Sequence, residues 1–242
     1  TYNACMPDQH VAITLNDRLI VKYLSIFAIA LVLLSLYGDI CLHLNKQSLW
    51  INQINHLFNI NGEGNVSSFF SALLLLISSA LLGMIYRFHN QANDPFATQW
   101  LVLTLGFFVM SFDEAVSIHE LLVTPLRKLL ALQVYGPLYY AWVVPALILV
   151  ALLAWYFYRF ILHLPAQTRW QLLLSAFLFL GGCIGFEMVG GWYVEQFGMQ
   201  SLTYIAIVSF EESFEMAGII LFIHSLLAYM KMQNMRFKIQ AI

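Results

Sequence analysis

Long apolar runs separated by short polar breaks dominate the chain. Six of them reach the roughly 20 residues that a helix needs to cross about 30 Å of hydrocarbon; they cover residues 20–42, 66–86, 98–123, 138–162, 170–197 and 202–230. Between the first two, residues 47–60 alternate apolar and polar positions (Leu49, Trp50, Ile51, Ile54, Leu57, Phe58) and are too few to span. That pattern predicts a helix lying in the membrane interface, followed by the turn Asn61-Gly62-Glu63-Gly64-Asn65. No internal repeat or linker divides the chain. The expected fold is all-α, a polytopic bundle of six transmembrane helices plus a short interfacial helix, in a single domain over residues 1–242.

Composition agrees. The 242 residues are 61% hydrophobic and 10% charged, where a soluble domain carries about 25% charged residues. A net charge of -2 leaves no footprint for nucleic acid. Cys5, Cys41 and Cys183 are far apart, with no C-x-x-C pair, which argues against a disulfide scaffold or zinc knuckle. Arg18, Lys22, Arg87, Arg159, Arg169, Lys231, Arg236 and Lys238 fall on one side of the predicted topology, against Lys46, Arg127 and Lys128 on the other. The imbalance predicts cytoplasmic termini. The first apolar run exceeds a signal-peptide core and reads as a retained helix. Trp50, Trp100, Trp142, Trp170 and Trp192 sit near predicted span ends, as an aromatic belt would. Pro145 reads as a kink within the fourth span, and Tyr135–Tyr140 as interfacial anchoring or as hydroxyls at an outer mouth.

Acidic residues at mid-membrane depth cost a few kcal/mol each on insertion scales, yet three spans carry many. The third holds Asp113, Glu114, His119 and Glu120; the fifth holds Glu187 among glycines; the sixth holds Glu211, Glu212, Glu215 and, further on, His224. At about 1.5 Å per helical residue these acids reach one layer in the outer half of the bilayer. Asp113, Ser117 and Glu120 share one stripe of a continuous helix, and Glu211, Glu215 and Gly218 share another. Every Lys and Arg lies near a span end, so the cluster needs protons, water or a cation. A divalent metal (iron, manganese or zinc) would take Asp113, Glu120, Glu187, Glu211 and Glu215 as oxygen ligands and His119 as a nitrogen ligand. Glu212 and Glu114, on the flanks, would move protons. His224 reads as a helix–helix hydrogen bond, Glu195 as a solvated terminus, and His43, His56, His89 and His163 as interfacial or solvated rings; His10 carries no signal.

The sequence Asp113-Glu114…Ile118-His119-Glu120, Glu187 in its Gly-rich span, and Glu211-Glu212…Glu215 together resemble a family of uncharacterised bacterial six-span integral membrane proteins. The resemblance runs from about Trp100 to Met230 and implies the bacterial inner membrane as location. Carboxylates and His in a helical bundle are also similar to ferritin-type and alternative-oxidase-type di-iron proteins. Those families use paired Glu-x-x-His motifs, which this chain lacks, since Ser117, Val123 and Glu215 stand three places after Glu114, Glu120 and Glu212. Alkaline-ceramidase-type zinc hydrolases use several His where this chain offers His119 and His224, and the desaturase His boxes are absent. The expected function is a metal-dependent membrane enzyme acting on a lipid or other apolar substrate. The alternatives are a proton- or cation-coupled transporter or channel, and a subunit of a larger membrane complex. Expected partners are membrane lipid and either a complex partner or a second copy of the chain.

Overall fold

The structure is a computed structural model that describes residues 16–44, 46, 48–131 and 134–235. Cys5, His10, Gln47, Arg236 and Lys238 lie outside the described residues. The elements are α1 (Asp17–His43), α2 (Leu49–Phe58), α3 (Val66–Gln91), α4 (Ala97–Val116), α5 (Ile118–Leu121), α6 (Val123–Leu130), a 3₁₀ turn (Gly136–Leu138), α7 (Val143–His163), α8 (Ala166–Leu180), a π turn (Gly181–Phe186), α9 (Glu187–Phe197) and α10 (Leu202–Met232). Six segments are long and apolar enough to cross a membrane: α1, α3, α4, α7, the run from α8 through α9, and α10. The expected all-α multi-pass bundle is therefore the fold.

Side-chain caps set the helix starts. Asn16 accepts from the Leu19 amide, Ser48 from that of Ile51 and Ser201 from that of Tyr204, while Asn65 and Ser68 form a reciprocal capping box on α3. Each cap satisfies amides that would otherwise lack partners at a helix start.

The helices α3 and α10 form the centre: α4 lies along α3, and α1, α3 and α8 lie against α10. Their contact surfaces carry Leu74, Leu82 and Ile85 from α3 and Met216, Ile223 and Leu226 from α10. Lipid tails are as apolar as these side chains, so close packing and polar ties must hold the spans together. The Oγ of Ser111 donates to the Ala72 carbonyl at 2.8 Å, that of Ser79 to Thr104 at 2.8 Å, and that of Ser175 to Gly218 at 2.7 Å. The outermost span is α7, where Trp155 is 81% exposed.

Several elements differ from the sequence reading. The third span stops at Val116, because Ser117 adopts a left-handed conformation (φ 56°) and turns the chain into α5 and α6. The fourth begins at Val143, so Pro145 sits in a first helical turn, where its missing N–H costs nothing. Trp100 is buried at 1% exposure rather than belted, stacked on Tyr229 and His89 and edge-on to Phe160. His89 is likewise buried and not solvated: its Nδ1 is 2.8 Å from Asp94, and its Nε2 is 2.9 Å from the Tyr229 hydroxyl. This cluster locks α3, α4 and α10 at the end where α1 begins and α10 finishes. Burial raises the Asp94 carboxyl, but the Phe96 amide and the His89 ring outweigh it and hold the group below its usual range.

At the opposite end, α2 is tied to α1. Asp39 accepts from Asn55 at 2.6 Å and from Asn59 at 2.9 Å, and Ser35 donates to its other oxygen at 3.3 Å. A Cβ on Gly38 would lie 3.2 Å from that of Asn55, so glycine leaves room for an approach that a side chain would crowd. The Ile60 amide then donates to Ser35, and the Asn65 side chain donates to the Asn59 and Gly62 carbonyls. The turn that carries Glu63 is thereby pinned at both ends.

Candidate functional site

Four parts of the chain deliver acids to the end of the bundle away from the start of α1: the turn before α3, α4 with α5, the start of α9, and α10. Ligand atoms of Glu63, His119 and Glu120 all lie within 4.8 Å of one another. Glu63 and Glu120 are exposed and His119 is half-buried, which makes this trio the mouth of the site. Behind it, Glu114 and Glu212 are close enough to repel each other and Glu63. Further in, Glu187, Glu211 and Glu215 approach one another and Glu212. Among the described residues the ion pairs are His89–Asp94 and His119–Asp113, so no Lys or Arg neutralises the cluster.

The left-handed break at Ser117 arranges the mouth. It folds α5 back so that Asp113 accepts from the His119 amide at 2.9 Å and contacts His119 Nδ1 at 2.8 Å. With Nδ1 engaged, Nε2 is the ring nitrogen left for a cation. A carboxylate behind a ligating imidazole fixes its tautomer and orientation. Burial pulls the His119 imidazole down, but the Asp113 hydrogen bond and charge outweigh it and raise the group above its ordinary value. The Trp142 ring packs on His119 at 5.0 Å between centroids, and its Nε1 donates to Glu187 at 3.1 Å. One indole therefore joins the mouth to the inner acids.

Close backbone approach brings the inner acids together. A Cβ on Gly182, in the π turn, would lie 2.6 Å from Glu215 Cγ and 2.8 Å from the Glu211 carbonyl oxygen. Only glycine admits α10 at that distance. A π turn inserts an extra residue into a helix and recurs at functional sites; here it immediately precedes Glu187. A Cβ on Gly191 would lie 2.9 Å from that of Tyr139, which keeps α9 against the Tyr135–Tyr140 segment. The Tyr140 hydroxyl lies 3.4 Å from that of Tyr204. Burial first, and the Tyr204 contact second, push the Tyr140 phenol up.

The predicted site residues are thus distributed over distinct places. Glu187, Glu211, Glu212, Glu215 and Glu114 are brought together as one acidic group. His119 and Glu120 belong to the mouth. Asp113 does not share a helical stripe with Glu120, because the helix ends between them; both its oxygens serve His119. Glu195 is not a solvated terminus: it accepts from the Tyr135 amide at 2.9 Å and the Gly136 amide at 2.5 Å, shaping the neighbouring loop. Arg127 donates through Nε and Nη2 to the Tyr139 carbonyl and covers the Tyr139 ring at 4.0 Å, so it braces the same loop. His224 forms no helix–helix hydrogen bond through Nδ1, which is buried without a partner among the described residues. Sequence reasoning missed Glu63, Trp142 and Asp39. The signal for Glu63 was an acid between two glycines in a turn on the same side as the acidic layer.

Fold and site together define a multi-pass membrane bundle with a carboxylate-rich centre at one end. Residues 24–230 match the family described as Domain of unknown function (DUF8692), and the chain belongs to that family. Comparison with curated proteins and with solved structures finds no match.

Proposed function

We propose that this chain is a metal-dependent membrane enzyme acting on a lipid or other apolar substrate. The observation that carries this reading is the convergence of Glu63, His119 and Glu120 from separate elements, with the imidazole already oriented by Asp113. Two carboxylates and one imidazole form a hard, mixed oxygen and nitrogen donor set suited to iron, manganese or zinc. A divalent ion there would supply Lewis acidity toward a substrate oxygen. The surrounding residues do the rest. Asp113 holds the His119 ring, Glu212 and Glu114 take up and return protons just behind the mouth, and Trp142 shields the passage to Glu187. The bacterial inner membrane as location, with the termini on its cytoplasmic side, belongs to the same proposal.

Metal analysis of protein purified without a metal-chelating resin tests the reading. About one equivalent of iron, manganese or zinc is expected, reduced by roughly 10–100-fold in affinity when the orienting Asp113 is replaced by Asn. A folded preparation that takes up none of the three metals overturns it.

A further inference from the structure

A cavity of about 490 Å³ opens between α1 and α10, outside the acidic site. Its walls are Val21, Ile29 and Leu33 on one helix and Ser213, Ala217 and His224 on the other, with further apolar residues between them. The two helices run antiparallel, so Val21 lies at the His224 end and Leu33 at the Ser213 end. From Ser213 to His224 the wall rises about 16 Å along α10, roughly half of a ~30 Å hydrocarbon core. The groove is thus one leaflet deep, and its lower end starts next to Lys22, near the membrane surface on the side where α1 begins. Both walls are spanning helices, so hydrocarbon is the phase that reaches it.

Two further observations say what fills it. At the Val21 end the lining includes Ser25 and His224, whereas at the other end the Ser213 hydroxyl is taken up by the Ser209 carbonyl at 2.6 Å. An apolar groove with a hydroxyl and an imidazole at one end fits a ligand that is apolar along its length and carries a hydrogen-bonding group at that end. At the other end the groove stops at Ser213, next to Glu212 in the chain. Met216 and Ile220, both on the wall, share a helical stripe with Glu212, one turn beyond. Above Leu33 on α1 comes Ser35, which receives the Ile60 amide and so supports the turn bearing Glu63.

We infer that this groove binds one acyl chain of a bilayer lipid, its ester carbonyl toward His224 and its chain end toward Ser213 and Glu212. That the bound lipid is a substrate rests on the enzyme reading above; that the groove holds a chain does not.

The test uses the full-length protein in nanodiscs of phosphatidylcholine in which one chain bears a photoreactive diazirine, near either the ester or the chain end. Cross-linked peptides are mapped by mass spectrometry. The ester-proximal probe is expected to label around Leu221 and His224, and the chain-end probe around Ser213. Both should exceed labelling of the lipid-facing α7 surface around Trp155 by about tenfold, the ratio for a site that holds lipid about 1.4 kcal/mol more tightly than the surrounding bilayer. Ala217→Trp, or Ile29→Trp from the opposite wall, should remove the groove adducts and leave those on α7 and the metal content unchanged. Groove labelling equal to α7 labelling, or adducts insensitive to both tryptophans in folded protein, overturns the inference. Strong groove labelling in metal-free protein sustains it while refuting the metal-enzyme reading, and a metal-loaded protein without groove preference does the reverse.

Discussion

The substitution Gly182→Ala measures how much the acidic centre depends on one backbone approach. The added methyl would lie 2.6 Å from Glu215 Cγ, 2.8 Å from the Glu211 carbonyl oxygen and 3.1 Å from the Glu215 amide nitrogen. Non-bonded carbon pairs prefer about 3.5–4.0 Å. A new rotamer of Glu215 relieves the first contact but not the two backbone ones, so α10 must move away by several tenths of an ångström or more. Overpacking of this kind costs about 1–3 kcal/mol. Against it stands the general gain of about 0.5–1 kcal/mol for replacing a helical glycine by alanine. The neighbouring glycines separate the two effects, because a Cβ on Gly181 or Gly185 meets nothing within 4 Å. Gly181→Ala and Gly185→Ala should therefore leave stability unchanged or raise it slightly. Gly182→Ala should lower it, with the difference from its neighbours in the range of about 1–3 kcal/mol. Reversible unfolding in mixed micelles of rising dodecyl sulfate fraction, followed by circular dichroism, gives all three values. If the three alanine variants unfold alike, the close packing of the π turn on α10 is wrong and the shared acidic centre loses its structural basis.

Two further perturbations probe the mouth and its scaffold. In metal-free protein the His119–Asp113 pair raises the imidazole above its ordinary value of 6.5, so its stabilisation is complete below that pH and is lost as pH rises through the folded-state value; unfolding measured from pH 5 to 9 should show this slope, and Asp113→Asn should abolish it. Metal binding has the opposite dependence, since His119 must be neutral to ligate: affinity should fall about tenfold per pH unit below the imidazole value, and a flat profile would exclude His119 as a ligand. Asp39→Ala strips the acceptor from Asn55, Asn59 and Ser35, at a cost of about 1–3 kcal/mol for partly buried donors. It should expose the segment from Ile60 to Gly64 to limited proteolysis and weaken metal uptake through Glu63; resistance equal to wild type would show that α2 is held by something else.

The architecture was readable because its cause is local and repeated. Runs of apolar residues long enough to span have few other stable fates in lipid, where every backbone group must bond within its own helix. The acidic layer was readable for the same reason: Glu187, Glu211, Glu212 and Glu215 stand out in their spans, and counting residues along a straight helix places them at similar depth. The interfacial helix followed from its length and its alternating pattern. What holds it in place did not. Asp39 lies within one turn of the end of α1, where an acid is unremarkable, and its partners Asn55 and Asn59 are 16 and 20 residues away. Hydrogen bonds across such separations leave no periodic trace.

The arrangement of the mouth turned on a single dihedral. Treating residues 98–123 as one helix puts Asp113 and Glu120 on a common stripe and makes both metal ligands. A serine in the left-handed region pays a steric cost that no residue pattern announces, and at Ser117 that conformation reverses the following turn. Its consequence is a division of labour. Asp113 loses its place beside Glu120 and gains two contacts to His119, while His119 and Glu120 swing over to the turn that carries Glu63. Ser117→Pro supplies the counterfactual, because proline is fixed near φ -65° and cannot adopt the observed 56°. The chain would leave α4 along a different path, Asp113 would part from His119, and the pH-dependent slope and the metal affinity should vanish together while the spans still insert. Loss of one without the other would mean that the imidazole is held by something besides the Ser117 turn.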